Sequence, residues 1–137
     1  DDLSALWKDV FLFHWKEESQ HAIVDELEWR REHARCTAAM RDQGVTDLIA
    51  LVGDVDGLVQ AQAAADSDYF IATAERRFTA REQAAIRDVT CKAYRWQYIV
   101  SGAQEPRFTD VLTELTTPAQ MERIGAALAP IAGHVNG

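Results

Sequence analysis

Near the start of the chain four side chains have types and spacing that suit metal chemistry. His14, Glu18, His21 and Asp25 follow one another at intervals of four, three and four, so on an α-helix they project from one side within an arc of about 60°. Imidazole nitrogen and carboxylate oxygen at those intervals can converge on one ion, and a mixed N/O set suits iron, manganese or zinc rather than calcium. The ordinary alternative is a solvated or mutually paired face. With 4 His and 22 acidic residues in the chain, a Glu-x-x-His match also arises by chance.

What distinguishes this stripe is its setting. Trp7, Val10 and Phe11 continue it towards the N-terminus, and Glu28, Trp29 and Glu32 continue it towards the C-terminus. The segment Val10 to Trp15 (VFLFHW) carries no charge on any side, which predicts burial all round, by its own domain or by a neighbouring subunit. His14 lies inside that segment, so the polar stripe is expected to be enclosed.

The elements that must position these residues read as helices throughout, because no hairpin signal joins alternating apolar runs. The first helix is expected from Leu3 to Arg35, with Asp2 or Ser4 as its N-cap. A polar connection, Thr37 to Gly44, leads to a second helix from Thr46 to Ala74, with Leu48, Leu51, Val52, Val55, Leu58, Val59, Tyr69 and Phe70 on its core face. Gly53 and Gly57 predict either a break there or the close approach of another helix. On this helix Gln62 and Asp66 interrupt the apolar stripe, which makes Asp66 the best second-helix carboxylate for a metal; the alternative is a helix becoming solvated near its end.

Thr79-Ala-Arg-Glu82 is a capping box that opens a third helix. Its expected core stripe is Ile86, Val89, Ala93, Trp96 and Val100, and Gly102 ends it. Glu82 falls on that stripe, but its capping role already accounts for it. Two short helices come next, one over Phe108 to Leu115 and one opened by Thr117-Pro118-Ala-Gln120, and the tail from Ala132 is expected to be loose. Three long helices joined by short connections predict an up-and-down bundle in a single domain, residues 1–137.

The chain has 137 residues with Lys+Arg 14 and Asp+Glu 22, a net charge of −8. That acidity disfavours nucleic acid and anionic membrane surfaces as partners. No unbroken apolar run approaches the roughly 20 residues of a membrane helix, and no signal-peptide pattern opens the chain. Cys36 and Cys91 are too few for a disulfide framework and read as reduced thiols in a cytoplasmic protein. Neither has a neighbour that lowers a thiol pKa, and no phosphate-binding loop or serine nucleophile elbow is present. Asp54-Val-Asp56-Gly57 lacks the later ligands of a calcium loop. Trp7, Trp15, Trp29 and Trp96 read as core or interface anchors.

Glu18-Ser-Gln-His21 on a long apolar helix resembles the Glu-x-x-His ligand motif of the ferritin-like superfamily, four-helix bundles with di-iron or di-manganese carboxylate centres. The likeness covers the helical layout of residues 3 to 102. It implies an all-α, ferritin-like up-and-down bundle and a metal-dependent oxidoreductase holding iron or manganese, with His14, Glu18 and His21 as ligands and Asp25 as a further ligand or a partner that orients His21. The family pattern has two Glu-x-x-His motifs and two further Glu; this chain has one motif, and neither His33 nor His134 supplies another. If Asp1 is a cut end, a preceding segment is where the second ligand pair belongs. The alternative function is a metal-free helical oligomerisation or interaction protein. In both readings the apolar segment predicts a homodimer.

Overall fold

The computed structural model describes residues 3–137, and every regular element among them is helical. The all-α expectation holds. The chain divides into two units, one ending at Thr37 and the other spanning Ala38–Gly137.

The first unit is one uninterrupted helix, α1 (Ala5–Arg35). No Gly or Pro interrupts these residues. Ser4 is the N-cap, its hydroxyl accepting the Trp7 amide proton at 3.1 Å; Asp2, the alternative cap, lies outside the described residues. At the other end His33 and Arg35 place basic groups on the last turn, where exposed carbonyls favour cations. Glu26–Arg30 and Glu32–Arg35 pairs line the second half at 3.0 Å. No residue of α1 is buried, so Val10 to Trp15 is not enclosed by its own chain, the first of the two expected means of burial. A lone helix has no second element in its own unit to cover it.

In the second unit α2 (Ala38–Thr73) packs chiefly against α3 (Ala80–Arg95). α3 runs on through a π-helical turn, Trp96–Val100, into the short α4 (Ser101–Ala103). α5 (Pro106–Leu115) and α6 (Pro118–Asn136) complete the unit. The cap signals are borne out: Thr79 and Glu82 form the capping box of α3, and Thr117 and Gln120 that of α6. α5 starts earlier than expected because Glu105 caps it, accepting the Phe108 amide proton at 2.8 Å, with Pro106 in the first turn.

α2 starts at Ala38, so the expected connection Thr37 to Gly44 is mostly helix. Tertiary bonds hold these first turns: the Asp42 carboxylate accepts from Arg123 at 2.7 Å and from Gln120 at 3.2 Å, both on α6, while Val45 is buried. Gly53 and Gly57 neither break α2 nor admit a close neighbour, since a Cβ at either would meet nothing within 4 Å. Gly53→Ala and Gly57→Ala are therefore expected to stabilise the unit by roughly 0.5–1 kcal/mol each, by restricting the unfolded chain. Urea unfolding checks this; a loss of stability would show that the space is needed.

By length and composition alone α2 is apolar enough to cross a membrane, because Leu, Ile, Val and Ala outweigh the few charged residues among them. Its contacts are those of a bundle helix. Val45, Val59, Ala63 and Ser67 are buried, Val52 and Val55 half-buried. Leu51, Leu58, Tyr69 and Phe70, expected on the same face, are exposed.

α3 differs more. Its inward face carries Gln83, Ile86, Thr90 and Tyr94, all half-buried, while Val89, Ala93 and Trp96 are exposed. Apolarity misidentifies the face because the inward polar groups bring their own partners. The Thr90 hydroxyl donates to the Ile86 carbonyl at 2.8 Å, and the Tyr94 hydroxyl donates to Asp66 at 2.5 Å. The π turn then adds a residue to one turn and rotates the helix beyond it, so that Ile99 and Val100 are buried. They form a core with Ile131, against which Val52, Val55, Leu128 and Val135 pack.

The C-terminal tail is helix rather than loose, α6 reaching Asn136 through Pro130. Pro130 cannot donate the usual backbone hydrogen bond. Burial of Ile131, packing of Val135 on the same core and the bonds made by His134 offset that loss.

Candidate metal centre

On α1 the Glu-x-x-His segment forms a closed ring of four side chains. His14 approaches Glu17 through Nδ1 at 3.9 Å and Glu18 through Nε2 at 3.7 Å. From one turn further on, His21 approaches Glu17 through Nε2 at 3.5 Å and Glu18 through Nδ1 at 3.4 Å. One ligand atom each from His14, Glu17 and Glu18 lie within 4.8 Å of one another. Around an ion with bonds of about 2.1 Å, neighbouring ligand atoms sit roughly 3.0–3.4 Å apart, so this set would have to draw together through rotamer changes to reach coordination range. The donor chemistry fits a borderline transition metal.

The ring is open to solvent, with side chains 54–61% exposed. Enclosure, the feature that sets this stripe apart in the sequence, is not supplied by α1 itself. Glu17 escapes the stripe for a specific reason: its Cα direction lies about 60° from Glu18's arc, but a Glu three residues after one His and four before another reaches both. That i+3/i−4 relation is the signal that finds it.

Asp25 is exposed and is not among the grouped donors. Asp66 lies in the other unit, where it accepts from Tyr94 and, at 2.9 Å, from Gln62. The Tyr94 bond first and the Gln62 bond second hold this carboxyl below its ordinary range, and the same carboxylate pushes the Tyr94 phenol up. The structure thus groups His14 and Glu18 with Glu17 as possible donors, leaves His21 in contact with Glu17 and Glu18 but outside that group, and gives Asp66 an interhelical partner.

A second polar constellation, in the Ala38–Gly137 unit, has no counterpart among the sequence motifs. Arg95 donates Nε and Nη2 to the two oxygens of Asp56, both at 2.7 Å, with these side chains only 14% and 13% exposed. Its Nη1 lies 2.8 Å from His134 Nδ1, and His134 Nε2 lies 3.0 Å from Asp88. A guanidinium only donates, so Nδ1 accepts and the proton of neutral His134 sits on Nε2, facing Asp88. The His134 bond, followed by that of Lys92, holds Asp88 below the ordinary carboxylate range. Asp56, Arg95 and His134 come from three helices 39 residues apart in each step, a separation no local spacing rule reaches.

Glu82 is engaged as a cap. The Thr79 amide bond, then Arg76, hold its pKa down from 4.5 to about 2. A depressed carboxyl contributes stability above its unfolded pKa and loses it as pH falls towards the folded one. Melting temperature is therefore expected to drop between pH about 5 and 2, with a shallower drop in Glu82→Gln. Superimposable profiles would show that the cap does not persist in solution.

No protein-family model, curated protein or solved structure matches this chain.

Proposed function

We propose that this chain is a metal-binding helical protein of the ferritin-like kind, holding iron or manganese at the carboxylate–histidine ring on α1. The observation that carries this reading is the grouping of His14, Glu17 and Glu18, whose ligand atoms lie within 4.8 Å of one another, with His21 beside both carboxylates at 3.4–3.5 Å. His14 and Glu18 form the core of the set, Glu17 closes it, and His21 supplies the second imidazole. Iron or manganese bound there supplies redox chemistry with an oxygen-class reactant. The protein residues fix the donor geometry, and the flanking Trp7–Phe11 stack, at 4.1 Å between ring centroids, sets an apolar edge beside it.

The test is metal analysis of protein purified without chelator and then titrated with manganese(II) or, anaerobically, iron(II). Near-stoichiometric metal, weakened roughly 10–100-fold in Glu18→Ala and His14→Ala, supports the reading. No binding above that of the Glu18→Ala protein rejects it. The second reading, a metal-free oligomerisation protein, is favoured by the exposed Val10, Phe11, Phe13 and Trp15, and predicts self-association with no metal dependence.

A further inference from the structure

We infer that His134 is a pH-dependent latch for the end of α6: neutral, it ties the last turns to Arg95 and Asp88 of α3, and protonation breaks the Arg95 tie and frees them. This inference is independent of the ring on α1. It starts from donors and acceptors. Arg95 Nη1 lies 2.8 Å from His134 Nδ1, and His134 Nε2 lies 3.0 Å from Asp88. A guanidinium only donates, and so does an imidazolium. The Arg95 bond therefore exists for neutral His134 alone, and protonation sets hydrogen against hydrogen and cation against cation.

The surrounding charges decide which partner yields. From α3 the imidazole faces Arg95, Asp88 and Lys92, with Cys91 interacting electrostatically with Arg95. From α2 comes Asp56, which holds Arg95 through two 2.7 Å bonds. Arg95 is 14% exposed and anchored by that pair, so His134 is the side chain that moves. Asp88 attracts the imidazolium, but it is 52% exposed and already pairs with Lys92 at 3.2 Å. Protonation thus draws the ring away from the buried guanidinium and towards solvent.

The end of α6 is weak enough to follow. Pro130 lies inside the helix and removes one backbone hydrogen bond from it. Loss of the Arg95 tie leaves half-buried Val135, on the Ile99, Val100 and Ile131 cluster, as the chief hold on the last turn. Imidazole is the side chain whose ordinary titration falls between pH 5 and 8, a range in which Asp and Glu side chains ordinarily stay ionised above about pH 5.5. Of the 4 His in the chain, His134 alone belongs to the Ala38–Gly137 unit. A change in this unit over that range consequently reports on one group.

The experiment is amide hydrogen exchange on the full chain at about pH 7.5 and about pH 5.5, read as protection factors so that the intrinsic pH dependence of exchange cancels, with an NMR titration of the His134 ring alongside. Protection of the amides from Ala132 to Asn136 is expected to fall at least about tenfold on acidification, the size of one lost hydrogen bond to a charged group. The midpoint of that fall should coincide with the titration of the ring. His134→Ala should show the low protection at both pH values. His134→Gln, which keeps one acceptor and one donor but cannot titrate, should show no pH effect. Unchanged protection in the parent protein, full protection in His134→Ala, or an equal fall in either variant would overturn the latch. So would a midpoint that departs from that of the ring.

Discussion

Arg95→Ala is expected to destabilise the Ala38–Gly137 unit by about 3 kcal/mol, measured as a shift in the urea midpoint. The loss is large because the Asp56–Arg95 pair is mostly withdrawn from water, with both guanidinium bonds at 2.7 Å. Removing the cation leaves Asp56 with only the Gln60 amide at 2.7 Å and no compensating charge, and it also withdraws the donor facing His134 Nδ1. A buried pair differs from a single charge in an informative way. Replacing both members with apolar residues of similar size, as in Asp56→Leu with Arg95→Met, is expected to recover much of the loss, since no uncompensated charge remains. A change below about 1 kcal/mol in Arg95→Ala would mean that the pair behaves as a solvated surface contact.

Ile131→Ala is expected to cost a similar amount, about 3 kcal/mol. Ile131 is buried with Ile99 and Val100, and half-buried Val52, Val55, Leu128 and Val135 surround them. This small core joins α2, the π turn and α6, so a cavity there loosens three elements at once. It also removes the burial that offsets Pro130, so the final turns of α6 should lose amide-exchange protection before the rest. Phe11→Ala is the contrast: Phe11 is exposed, and its truncation should change the urea midpoint of the second unit by less than about 0.5 kcal/mol. Equal effects of the two substitutions would contradict the placement of the core.

The pH profile tests the caps and carboxylates of the Ala38–Gly137 unit, whereas manganese titration tests the ring proposed on α1. A manganese-induced rise in melting temperature that survives Glu18→Ala would therefore point away from the ring.

Local rules made much of the helical pattern legible. Thr79-x-x-Glu82 and Thr117-Pro118-x-Gln120 satisfy their own backbone donors within four residues, so they read correctly without tertiary information. The same holds for the Ser4 cap of α1 and for His14, Glu18 and His21, whose proximity is a property of the helical repeat alone. Side-chain reach along the same helix also brings Glu17 to both histidines, once direction from the axis is not mistaken for distance between tips.

What only the tertiary structure decided is which faces are covered. Hydropathy assigned Val89 and Trp96 to the core of α3, yet Thr90 and Tyr94 point inward because Ile86 and Asp66 satisfy their hydroxyls. Asp42, Arg123 and Gln120 turned an expected connection into the first turns of α2, and Arg95 with Asp88 fixed His134 in a segment expected to be loose. In most of these cases a polar group found its partner on another helix. Residue spacing encodes neighbours along one helix, but the free energy of placing a polar group inside depends on a partner distant in sequence. For the same reason the seven-residue spacing of His14 and His21 fixes which side of α1 they share, while exposure of that side is settled by whatever packs on it.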